Sequence, residues 1–130
     1  MPWVEVFAVF LVSHAAGDFL TQTEFQARNK HGGLGRDPVK RRALLSHAAV
    51  YLLCFVPGLV WLADEHAAGT VALVAAAVVV PHAIQDDGRV IGLWMRRVKH
   101  TEWQPGVLAM AVDQTFHLVA LFLLAVAVGV

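Results

Sequence analysis

The chain has one cysteine, Cys54, set in an apolar run. An intrachain disulfide and a cysteine-rich zinc site are therefore excluded, and Cys54 reads as a small core residue. Basic residues are missing from most of the chain, since all ten Lys and Arg fall between Arg28 and Arg42 or between Arg89 and Lys99. Three familiar signatures are also missing: a Gly-x-x-x-x-Gly-Lys phosphate loop, His-Glu-x-x-His and Gly-x-Ser-x-Gly. Ser13 and Ser46 adjoin His14 and His47, but consecutive residues do not face each other on a helix, which argues against a serine nucleophile. The first apolar stretch lacks a basic start, and "SHAAGDF" carries a charge where a cleavage site needs small neutral residues. It reads as a retained helix and not a leader.

What the chain has is hydrophobicity. Apolar residues make up 58% of its 130 positions and the mean hydropathy is +0.60, against roughly 45–50% apolar in an average soluble domain. A bilayer-crossing helix needs about 20 mainly apolar residues, and four windows qualify, at approximately residues 3–26, 42–62, 69–85 and 105–128. The expected fold is all-α, a single-domain integral membrane four-helix bundle. "LADEHAAG" makes a tight link between spans two and three, and "NKHGGLGRDP" reads as a flexible glycine-rich loop between spans one and two.

Orientation follows from the two basic windows. The positive-inside rule puts both in the cytoplasm and both termini outside, as in a multi-pass protein of the inner (cytoplasmic) membrane. Trp3 and Trp61 then fall at the outer interface, Trp94 and Trp103 at the inner one. "GRVIGLWMRRVKH" repeats Val90, Trp94 and Val98 every four residues, with Arg96, Arg97 and Lys99 off that line. This predicts a short amphipathic helix, at approximately residues 88–99, lying on the inner leaflet. Such juxtamembrane charges point to membrane lipids, including an anionic headgroup, and not to nucleic acid.

Against this background three aspartates stand out. An Asp at the centre of a membrane helix costs about 2.5–3.5 kcal/mol, so it normally faces the bundle interior and has a partner. Asp18, Asp86 and Asp113 lie in or near spans one, three and four. Each has a histidine four residues away, His14, His82 and His117, and i,i+4 residues share a helix face. His47 adds a fourth imidazole, about one turn inside span two. In span one the polar stripe continues to Gln22 and Gln26. All these groups fall in the cytoplasmic half of the spans, converging on one centre.

Imidazole and carboxylate together suit zinc, iron or manganese. Seven candidate ligands (His14, Asp18, His47, His82, Asp86, Asp113 and His117) exceed one catalytic site of three protein ligands, so two divalent transition metal ions sharing a carboxylate are expected. Gln22 and Gln114 are expected to orient ligands or water, and Asp87 is a candidate general base. A metal-free His–Asp hydrogen-bond network is the alternative. His31, His66 and His100 read as solvated loop residues.

The segments "HAAGDFLTQ", "LLSHAAVYLL", "HAIQDD" and "VDQTFHLVALFLL" together resemble a family of small bacterial and phage membrane proteins, domain of unknown function 3307. The resemblance spans nearly the whole chain. It touches His14, Gly17, Asp18, Phe19, Gln22, His47, His82, Asp86, Asp113, Gln114 and His117. It implies a membrane helix bundle and no settled activity. The function expected from the residues is metal-dependent hydrolysis of a lipid, phosphate or acyl ester at the inner leaflet. Competing readings are a di-iron oxidoreductase, weakened by the lack of Glu-x-x-His pairs, a proton or ion path, and a structural protein. Small bundles also often pair, so a homo-oligomer is an open expectation.

Overall fold

The computed structural model describes residues 1–129. Six helices, and no strand among the described residues, run in the order α1 (Trp3–Ala15), α2 (Glu24–Asn29), α3 (Pro38–Leu62), α4 (Ala68–Asp86), α5 (Arg89–Arg97) and α6 (Val107–Val128). α1 continues as a π-helical turn over Ala16–Leu20. This extended α1, α3, α4 and α6 are each long and apolar enough to cross a membrane.

The four long helices pack in a closed ring, α1 on α3, α3 on α4, α4 on α6 and α6 on α1. Val6, Phe10, Phe55, Leu59, Leu62, Val74, Val78, Leu121 and Ala125 form the apolar core, closed toward the polar layer by Tyr51. The Met1 ammonium pairs with Glu65 at 2.7 Å, so the N-terminus and the α3–α4 link share one end. The two basic windows flank the other, the basic end.

Span one ends earlier than its hydropathy suggests. The chain leaves the π turn after Leu20 and bends through Thr21–Thr23, and α2 begins a new helix. Thr23 and Gln26 form a reciprocal capping box, the Thr23 hydroxyl accepting from the Gln26 amide and the Gln26 side chain accepting from the Thr23 amide. The expected stripe from His14 through Gln22 to Gln26 is therefore broken. Thr-x-x-Gln satisfies two otherwise orphaned backbone donors and starts a helix where the apolar periodicity alone predicts continuation. Similarly, α3 starts at Pro38 and not Arg42, because Asp37 caps the amides of Val39 and Lys40 and proline suits the first helical position.

The glycine-rich loop is packed and not free. Asp87 Oδ1 accepts from the Leu34 amide and the Asp87 carbonyl accepts from the Gly32 amide, both at 2.8 Å. A Cβ on Gly33 would stand 2.4 Å from Leu44 Cβ. The loop is thus strapped between the end of α4 and the start of α3. α5 has two apolar sides: Ile91 and Met95 pack inward beside Val112, while Val90, Leu93, Trp94 and Val98 are exposed.

Candidate metal centre

The polar groups occupy a layer beneath the apolar core, toward the basic end. α1 and its π turn supply His14 and Asp18, α3 supplies His47, α4 supplies His82 and Asp86, and α6 supplies His117; all six are buried. The π turn lies under Tyr51, where a Cβ on Gly17 would come within 2.5 Å of the ring. Glycine is what lets α1 approach α3 this closely.

Four ligand atoms converge between α1, α3 and α4. His47 Nε2 lies 2.9 Å from Asp86 Oδ2, 3.2 Å from Asp18 Oδ1 and 3.1 Å from His82 Nε2. His82 Nε2 lies 3.0 Å from Asp86 Oδ2 and 3.7 Å from Asp18 Oδ1. In a tetrahedral zinc site, N and O ligands with bonds of about 2.0–2.1 Å stand about 3.3 Å apart. Asp18 Oδ1 and Asp86 Oδ1 have no hydrogen-bond partner, and Asp86 Oδ2 stands within ion-pair distance of the Lys30 ammonium. His47 and His82 share a hydrogen bond through their Nε2 atoms, and the four ligand atoms lie close enough together that they could hold one metal ion.

A second set joins Asp86, Asp113 and His117, with ligand atoms all within 4.8 Å of one another. The Asp113 carbonyl accepts from His117 Nδ1–H at 2.8 Å, the backbone bond that fixes the tautomer of a metal-ligating histidine. His117 Nε2 faces Asp86 Oδ1 at 3.3 Å, where either a proton or a metal ion on Nε2 would offset the carboxylate charge. Asp86 is common to both sets: Oδ2 faces the first and Oδ1 the second. A carboxylate so placed could serve both sets.

The structure leaves His14 outside both sets. Gln114 Nε2 donates to Asp18 Oδ2 at 3.2 Å and Asp113 Oδ2 at 3.3 Å, so its Oε1 is turned to accept from His14 Nε2 at 2.8 Å. His14 Nδ1 then accepts from the Tyr51 hydroxyl at 2.9 Å. Both nitrogens are used, and His14 acts through Gln114 on two of the carboxylates. Gln114 thus links His14 to two carboxylates. Gln22 Oε1 is buried without a partner and borders a cavity beside the cluster. Asp87 is occupied elsewhere, holding the Leu34 amide and, through Oδ2 at 3.2 Å, Arg89.

Three residues join the site unannounced by the spacing argument. Tyr51 stacks on His82 with ring centroids 3.5 Å apart and 9° between planes, orienting an imidazole whose Nδ1 has no partner. Its place one turn after His47 on α3 was the available signal. Lys30 is buried and its Nζ lies 3.0 Å from Asp86 Oδ2; the strapped loop delivers it, and no local pattern marks it. His31 is not a solvated loop residue: it is half-buried, with its ring 4.7 Å from that of Trp103. Burial, reinforced by the adjacent Lys30 ammonium, lowers its pKa from the usual 6.5.

A cavity of about 340 Å³ adjoins the cluster at the basic end. Asp18, Gln22, Lys30, His31, Asp113 and Gln114 line its polar side. Against known proteins, a family described as a protein of unknown function, DUF3307, matches residues 6–130. No curated protein and no solved structure matches.

Proposed function

The chain belongs to the DUF3307 family, and since that membership names no activity, we propose one from the site: a metal-dependent hydrolase in the inner (cytoplasmic) membrane, cleaving an ester at the cytoplasmic leaflet. The observation that carries the reading is Asp86, fully buried and offering one oxygen to each of two His/Asp sets. Asp18, His47, His82 and Asp86 would hold one divalent ion, and Asp86, Asp113 and His117 a second. Such ions acidify a bound water and polarise the oxygen of the bond to be cut.

The chain's own groups would complete the site. Gln114 positions Asp18 and Asp113 from behind and is itself held by His14. The apolar core seals the layer from the opposite end, so substrate would enter from the basic end, where the cavity lies. The exposed apolar side of α5 would rest in the inner leaflet with its arginines at the headgroups. Zinc, manganese and iron all suit these donors; two irons would favour redox chemistry, and metal identity separates the readings.

The test is elemental analysis of protein purified without added metal, alongside ester cleavage in detergent micelles. Wild type is expected to carry metal and to lose cleavage on chelation. Asp18→Asn and His82→Ala are expected to lose both metal and cleavage. Folded wild-type protein that neither carries metal nor takes it up would sink the proposal.

A further inference from the structure

The cavity beside the cluster has two characters. Its polar side carries the candidate ligands Asp18 and Asp113 together with Lys30, whose side chain is buried. Its other side is Phe19, Ile91, Trp103 and Met110. Phe19 is 63% exposed and Met110 54%, and both stand at the basic ends of helices that can cross a membrane. The cavity therefore meets the surface at the depth where lipid headgroups join their chains.

Charge narrows the occupant. Asp18, Asp86 and Asp113 bring three negative charges and Lys30 one positive, which leaves two negative. Two divalent ions turn this into two positive. In a site of low dielectric an excess of that size favours an anionic ligand, and a neutral carboxylic ester would leave it uncompensated. A phosphoryl group supplies the charge, together with oxygens suited to two metals and an ammonium.

We propose that this cavity binds an amphipathic phosphate ester, with its phosphoryl group between the two-ion centre and the Lys30 ammonium and its apolar part along Phe19, Trp103 and Met110. The assignment rests on the two-ion reading above and narrows it to phosphoester hydrolysis. In that step a water oxygen bonds to phosphorus. The phosphorus–oxygen bond to the alcohol breaks, its electron pair going to the alcohol oxygen, which receives a proton from the attacking water. Lys30 keeps its proton and holds a non-bridging oxygen.

The experiment is calorimetric titration of metal-loaded, detergent-solubilised full-length protein with four soluble probes, measuring the metal content of each sample in parallel. The probes are dihexanoyl phosphatidate and glycerol phosphate, both as non-hydrolysable phosphonate analogues, dihexanoylglycerol and inorganic phosphate. Phosphatidate is expected to bind about tenfold or more tighter than the neutral lipid, by the gain of charge-assisted hydrogen bonds. It should also bind about tenfold or more tighter than glycerol phosphate, by burial of its chains. Lys30→Gln, loaded to the wild-type metal content, is expected to weaken phosphatidate binding about tenfold to a hundredfold, and Lys30→Arg to retain most of it. Met110→Trp, which crowds the apolar side of the cavity, should weaken phosphatidate more than inorganic phosphate and carries the test if Lys30→Gln does not fold. Equal binding of phosphatidate and the neutral lipid by metal-loaded protein overturns this inference alone, as does a Lys30→Gln protein that binds like wild type. Glycerol phosphate binding as tightly as phosphatidate overturns the lipid assignment in favour of a soluble phosphate. Protein that takes up no metal removes both this inference and the reading beneath it.

Discussion

If Asp86 bridges two ions, its loss must cost both, and the loss of Asp113 only one. Asp86→Asn preserves the shape of the side chain but removes the charge. The amide offers one neutral oxygen and one NH2 group in place of two carboxylate oxygens facing His47, His82 and His117 at 2.9–3.3 Å, so it cannot serve both sets and binds weakly at either. Removing a partner that merely orients a ligand costs roughly 10–100-fold in metal affinity. Losing a shared ligand should exceed that at both positions. Asp113→Asn leaves Asp18, His47, His82 and Asp86 untouched. The expected order is therefore two ions per chain in wild type, about one in Asp113→Asn and almost none in Asp86→Asn, by elemental analysis normalised to protein mass. Stability gives a second reading. An ion present at 100 times its dissociation constant stabilises the fold by about 2.7 kcal/mol, so chelation should lower the wild-type melting temperature by the equivalent of about 3–5 kcal/mol. Asp86→Asn also strips Lys30 of its buried partner, a loss of roughly 3–5 kcal/mol, and it should be insensitive to chelator. Equal metal loss in the two variants would refute the bridging geometry. A wild-type melt that ignores chelator would instead indicate that the His–Asp layer folds as a metal-free network.

Three further outcomes follow from individual contacts. Gly17→Ala places a methyl 2.5 Å from the Tyr51 ring and should destabilise by about 1–3 kcal/mol on thermal melting; Gly106→Ala, with nothing within 4 Å, serves as the silent control. Asp87→Ala should free the glycine-rich loop and speed tryptic cleavage at Arg36; loss of ester cleavage with unchanged proteolysis would instead mark Asp87 as a general base. Because the pKa of His31 is lowered in the folded protein, the unfolded chain binds the extra proton first. Folding stability should then fall as pH drops below about 6.5, and His31→Gln should show a shallower acid-side loss in melts between pH 7.5 and 5.

Gln22 and Lys30 owe their places to tertiary structure and not to local pattern. A straight helix carries Gln22 one turn below Asp18 on the same face, yet the π turn and the Thr23 capping box redirect the backbone before it gets there. The Thr-x-x-Gln pattern was visible in the residues but stood inside an apolar stretch that reads as continuous. Lys30 looked like one of six charges near a membrane surface. Only the strap from Asp87 to Gly32 and Leu34, with Gly33 packed under Leu44, brings that loop onto the bundle. Loops follow long-range hydrogen bonds that no local periodicity encodes.

Helical periodicity and the cost of burying charge are local matters, so the residues alone were enough for four long helices, a basic end, and histidine–aspartate pairs on the faces of three of them. Which pairs share a centre depends on how those faces meet across the bundle. Packing excluded His14 from both ligand sets by occupying its two nitrogens, and it admitted Tyr51 and Lys30. It also gave Asp86 a place between two sets of donors, because α4 touches α3 on one flank and α6 on the other.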